Sequence, residues 1–222
     1  MVDVEAKKKF WQCPTLVVLK SVAYLDEAKM ADPRLKYVSP FVTATWDPEK
    51  DFRFKGRTKE EWASAKTVYK GTVAALTAMI KKGVPVLAGT DCLNPFVFAG
   101  FSLPDEVALL AEAGMSRTEA LATATLNPAK FLKLEKVAGT VDVGKRADLV
   151  LLDGDPLADL ANLKRISAVV QRGKLFDRAA LDSLLDRAAY PQTSGGVQGG
   201  LCPCHLGMEE PFRLLTAALC SR

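Results

Sequence analysis

The sequence predicts an α/β protein that turns, in its last third, into a small β module. A long amphipathic helix pattern runs across one glycine into a short apolar strand, VPVLAG. Two more helix patterns with capping signals follow it. From Gly139 onward the texture changes to short β-runs around turn residues.

The elements follow in chain order. CPTLVVL, Cys13–Leu19, is a short apolar run bounded by Pro and Lys; it reads as a buried strand or as a strand feeding a helix. Residues 31–58 carry Pro33, Pro40, Pro48 and the mixed-charge run DPEKDFRFKGR, and read as a long irregular connection with short helices. TKEE then forms a capping box, Thr58 capping and Glu61 reaching back. Apolar residues recur at Trp62, Ala65, Val68, Tyr69, Val73, Leu76, Met79 and Ile80, which is helical spacing, and Gly83 stops the helix. SLPDEVALLAEAG predicts a helix capped by Ser102, with Asp105 and Glu106 in its first turn and Gly114 at its end. SRTEALATATLNP repeats the logic with Ser116 and Glu119, and Asn127-Pro128 is expected to end the helix. GTVDVGKRADLVLLDGDPL reads as strand pieces around VGKR and then an apolar strand. ISAVVQRGKLFD is a hairpin around Arg172-Gly173, and RAALDSLLDRA a closing helix. Residues 191–222, with QTSGGVQGG at their start, look foreign to the rest and flexible by composition.

Composition narrows the partners. The 222 residues are 49% hydrophobic and 25% charged, as expected of a globular protein. The net charge of +4 is spread along the chain, so no basic stripe points to nucleic acid, and Lys7–Lys9 reads as a solvated end. No apolar stretch approaches the roughly 20 residues of a membrane helix, and the N-terminus lacks a signal peptide's apolar core. The five cysteines suggest no disulfide framework; Cys13 and Cys92 read as small hydrophobes in apolar runs, and a reducing, cytoplasmic setting is the expectation. Cys202-Pro-Cys-His205 offers only three candidate ligands, with Cys220 distant, where structural zinc wants four.

GTD, Gly89–Asp91, is the stretch with chemistry in it. Turn formation is the ordinary reason for Gly and Asp at a strand end. Four stretches taken together change the weighing. VPVLAGTD, FSLPDEVALLAEAGMSRTEALATATLNPAKFL, GTVDVGKRADLVLLDGDPL and AVVQRGKLFD, in this order, resemble the C-terminal portion of the amidohydrolase superfamily, in its imidazolonepropionase-like and prolidase-like branch.

The resemblance implies a fold and a site. It implies a partial (β/α)₈ barrel over residues 1–134, its last strands and helices, part of a β-sandwich over 135–190, and an unrelated tail over 191–222. Catalytic groups of such barrels sit at the C-terminal strand ends. By the resemblance Asp91 ends the eighth strand, faces a divalent cation, usually Zn²⁺, and passes a proton from the attacking water to the leaving amine. Asn94, Phe96 and Phe98, in the loop after Asp91, are candidates to line a small-molecule pocket, loop packing being the alternative. Asp148 is expected to be a structural turn residue and Lys145-Arg146 a solvated hairpin. The family's His-x-His and its other metal-binding histidines have no counterpart: His205, in the tail, is the sole histidine. Pro104 stands where relatives have a histidine near the pocket mouth. The expected activity is therefore hydrolysis of a carbon–nitrogen bond, in a cyclic amide or a small Xaa-Pro-like dipeptide, incomplete in this chain alone. The rivals are a non-catalytic binding or dimerisation module and a gene fragment without independent function. Open barrel edges would favour self-association.

Overall fold

The computed structural model describes residues 10–28 and 30–190. Lys7–Lys9 and the Cys202–His205 motif lie outside the described residues.

Two segments, around Gln12 and around Val86, run side by side in parallel and are joined by a single bridge. Gln12 N donates to Pro85 O (2.9 Å) and Leu87 N donates to Gln12 O (2.8 Å), forming a parallel bridge between Gln12 and Val86. Val84 and Val86 are buried, one residue apart, as period-two alternation requires. The groups on the other side of this segment are taken by the chain itself. Asn127 Nδ2 donates to Val86 O (2.9 Å), and Ala88 N donates to Thr123 O (3.0 Å). A strand associating along this edge would have to displace both.

Cys13–Leu19 is not a buried strand. The chain leaves Gln12, turns through Pro14 and Thr15, and enters helix α1, Leu16–Ala23. A run as short as VVL carries no period that distinguishes a strand from a buried helix turn, and packing decided for the helix. Leu16, Val17 and Val18 fill the main core with Leu76, Val86, Val97, Val107, Leu110 and Ala120. Cys13 is exposed rather than buried in a strand, and Cys92 is half-buried.

Residues 31–58 are irregular with short helical turns, as expected: Pro33–Tyr37, helix α2 (Pro40–Thr43) and Ala44–Trp46. They are held by an aromatic cluster in which Trp46, Phe98 and Val38 are buried. Helix α3, Lys59–Lys81, starts on the expected capping box, with Thr58 Oγ1 accepting from Glu61 N and Glu61 returning to Thr58 N. Gly83 ends it at φ 71°. Val68 proved exposed, because the helix buries only the side holding Trp62 and Leu76.

Helices α4 (Leu103–Glu112), α5 (Arg117–Ala122) and α6 (Leu126–Phe131) follow. Ser102 does not cap α4 with its side chain; Ser102 Oγ instead accepts from Phe98 N (2.9 Å), closing the preceding loop. The Ser116–Glu119 capping box is present. Asn127-Pro128 begins a helix rather than ending one. Pro128 is the third residue of α6, where no backbone N–H needs an intrahelical partner, so proline costs nothing there.

Strands β1 (Leu149–Leu152), β2 (Ile166–Gln171) and β3 (Lys174–Phe176) form an antiparallel sheet in that order, and helix α7, Arg178–Ala188, follows. Arg172 (φ 50°) and Gly173 (φ 80°) make the expected tight turn. Asp148 Oδ1 accepts from Arg172 N (2.7 Å), tying that turn to the start of β1. The segment around VGKR forms turns rather than strand pieces, with Gly139 and Gly144 at positive φ, and Lys145 pairs with Asp142 (3.2 Å). Among the described residues no helix is long and apolar enough to cross a membrane.

Candidate functional site

Asp91 stands exposed where the Val84–Gly89 segment ends. Its backbone is left-handed (φ 49°), as are Leu93 (φ 74°) and Phe96 (φ 56°). Three non-glycine residues in that region within six positions is an unusual density, since the Cβ disfavours it. The loop is closed by its own hydrogen bonds. Asn94 Nδ2 donates to Asp91 O (3.1 Å), Leu93 N donates to Val97 O (3.0 Å), and Val97 N donates to Asn94 O (3.0 Å).

The structure keeps Asn94 beside Asp91 with its amide turned to the backbone. Phe96 lies against Trp46 (5.6 Å between centroids) and Phe98 (6.4 Å), so its ring joins the aromatic cluster. Phe98 is buried there, with the Arg34 guanidinium 4.4 Å from its ring centre. Two clefts lie near these elements. One, of about 460 Å³, is lined by Phe96, Lys20, Tyr24, Asp105 and Glu112; the other, of about 580 Å³, lies between α4 and β1. Asp91 lines neither.

Zinc sites take three or four protein ligands. Among the described residues no group of three or more His, Cys, Asp or Glu side chains could hold a metal ion. The donors near Asp91 therefore do not fit the cation that the family pattern implies.

One buried acid escaped the sequence reading. Glu106 in α4 is fully buried, and its carboxylate accepts from Leu16 N (3.0 Å) and Val17 N (2.7 Å) at the start of α1. Burial pushes its carboxyl up to about 7, against the pull of the two N–H groups. The signal was in the sequence. Glu106 sits three and four residues before Leu109 and Leu110, on the apolar stripe, where an acid has to find donors. Reading it only as a first-turn acid missed this.

A model described as the Amidohydrolase family matches residues 43–176. The chain belongs to the amidohydrolase family. This is a hydrolase family with a TIM-barrel fold and a general dependence on metal. Over 94 residues the chain is 40% identical to the imidazolonepropionase of Syntrophobacter fumaroxidans, covering 42% of this chain and 22% of that protein. It is 34% identical over 122 residues to the 5-methylthioadenosine/S-adenosylhomocysteine deaminase of Thermoanaerobacter pseudethanolicus, covering 46% and 28%. Among solved structures it resembles a putative prolidase from Bifidobacterium longum (30% identity, TM-score 0.50, 70% of this chain and 38% of that one). A bottromycin amidohydrolase shares the fold at 24% identity and TM-score 0.62, over 80% of this chain and 39% of the other. The branch expected from VPVLAGTD and GTVDVGKRADLVLLD is thus the branch of these amidohydrolases. The matched parts span 22–28% of the two curated relatives.

Proposed function

We propose that the amidohydrolase chain supplies the strand-end carboxylate, Asp91, to hydrolysis of a carbon–nitrogen bond in a small molecule: a cyclic amide or a small Xaa-Pro-like dipeptide. The observation that carries this reading is the family match over residues 43–176, which takes in both the GTD strand end and the GTVDVGKRADLVLLD stretch. Residues 1–134 are then the closing part of the barrel, with the Gln12–Val86 parallel bridge in support. Residues 135–190 are part of a sandwich, supported by the antiparallel sheet, and 191–222 are an appended tail.

In this reading Asp91 holds and moves one proton. Its carboxylate takes the proton from water as the water oxygen adds to the carbon, and returns it to the nitrogen as the C–N bond breaks. A carboxylate suits this because it is anionic in its resting state and protonated only in passing. The metal-binding part of the site comes from residues outside this sequence.

Isolated, the chain is expected to hold no stoichiometric Zn²⁺ at Asp91, because one carboxylate is not a ligand set. Metal analysis after dialysis checks this. Zn²⁺ that survives His205→Ala but is lost in Asp91→Asn would contradict it.

The functional reading is tested by a substrate panel given to the chain joined to the metal-binding part of a family barrel. The panel contains cyclic amides, Xaa-Pro dipeptides and 5-methylthioadenosine. Asp91-dependent cleavage of a C–N bond in the cyclic amides or dipeptides supports the proposal. A folded assembly inert to the whole panel, or active on 5-methylthioadenosine alone, overturns the substrate class.

A further inference from the structure

Helix α1 is capped by a residue ninety positions away. Its first N–H groups need acceptors, and Thr15, left-handed at φ 47° and ψ 50°, provides no side-chain cap. Both oxygens of the Glu106 carboxylate fill the need, one on Leu16 N and the other on Val17 N. No cation among the described residues pairs with this acid. The titratable groups that interact with it are Cys13, from the turn before α1, and Tyr69, from α3. Partial desolvation of its sulfur, and then Glu106, push the Cys13 thiol up. Burial, followed by Glu112, Tyr24 and Glu106, pushes the Tyr69 phenol up to about 12. Both are therefore neutral near pH 7, and the carboxylate's charge is met by backbone N–H dipoles alone.

The capped turn touches the other strand end. A Cβ built on Gly89 would strike Cys13 Sγ, so the Cys13–Thr15 turn rests on the backbone two residues before Asp91. Glu106 thus holds α1, α1 holds the turn, and the turn abuts Gly89.

We propose that Glu106 is a positioning residue that acts as a proton-operated clasp: protonated, it sits at ease in its buried place and keeps the start of α1 and the Gly89–Asp91 segment seated; ionised, its desolvated charge loosens both. The charged carboxylate offers an acceptor to each N–H, with charge assistance. The same charge is buried away from water, and that cost outweighs the help of the two N–H groups, so the closed site favours the neutral acid. Burial places the exchange near neutrality, within reach of ordinary pH changes. The inference goes beyond the proposed function and stands whether or not Asp91 moves a proton in catalysis.

The test is a titration of backbone amide resonances in the full chain from pH 5 to 9. Leu16 and Val17 amides should shift with one midpoint near 7, and Gly89 and Asp91 amides should follow that midpoint. In Glu106→Gln the transition should vanish. In Glu106→Asp, which keeps a titrating carboxyl, it should persist. It should also persist in His205→Ala, which removes the sequence's one imidazole, and in Cys13→Ser, which removes the thiol. Flat Leu16 and Val17 amides in the wild-type chain would overturn the clasp. A transition confined to Leu16 and Val17, with Gly89 and Asp91 unmoved, would overturn its reach to the strand end.

Discussion

Replacing Asp91 by Asn in the assembled hydrolase is expected to lower kcat by about 10²–10⁴-fold, the usual cost of losing a positioned proton-transfer group. Asn keeps the size and one acceptor oxygen, so the loop should survive. The contact that closes it uses the Asp91 backbone carbonyl, which the substitution leaves in place. KM should move little if Asp91 acts on the reacting proton rather than on substrate binding. Asp148→Ala is the contrast. It removes the acceptor for Arg172 N in the turn between β2 and β3, so the yield of folded protein should fall while kcat per folded molecule stays near wild type. Steady-state kinetics normalised to folded protein separates the two. A kcat unchanged by Asp91→Asn would make GTD a turn and nothing more.

The second large effect lies in stability against pH. Free glutamate titrates near 4.5, and in the fold Glu106 titrates at about 7. Between these values the folded state binds the proton more tightly than the unfolded chain, so stability falls as pH rises. A shift of this size corresponds to about 3 kcal/mol, present below the unfolded value and lost above about 7. Asp32 and Asp51 work in the opposite direction. Their hydrogen bonds to Arg34 and Arg53 hold them below the usual carboxylate range, so their contribution is lost only as pH falls below about 4. Stability should therefore peak between about pH 4 and 4.5 and decline toward pH 8. Urea unfolding across this range measures it. Glu106→Gln should flatten the decline. It should also cost about 1–3 kcal/mol at pH 5, since an amide NH₂ would face one of the two buried N–H donors. Stability that rises from pH 5 to pH 8 in the wild-type chain would contradict the assignment.

Legibility followed range of interaction. Thr58 with Glu61, Ser116 with Glu119, Gly83 after α3 and Arg172-Gly173 in the hairpin are decided by residues within a few positions, and each stands as read. Leu16–Ala23 was ambiguous because three apolar residues fit a strand and a helix alike, and α4 resolved it from ninety residues away. Ser102 and Asn127 looked like local punctuation but spend their side chains on Phe98 N and Val86 O. At the candidate site, Asp91 was legible only through the family's pattern. The left-handed backbone at Asp91, Leu93 and Phe96, and the packing of Phe96 on Trp46, depend on tertiary contacts that no short motif encodes.

In the proposed role the chain contributes Asp91 to a site whose metal ligands are supplied by a second polypeptide. Mixing it with a polypeptide that carries the first six strands of a family barrel, including His-x-His, tests this most directly. Hydrolysis of an Xaa-Pro dipeptide or a cyclic amide should be at background for each component alone and appear on mixing. Activity of the isolated chain equal to that of the mixture, or a stoichiometric complex that stays inactive, would contradict the account.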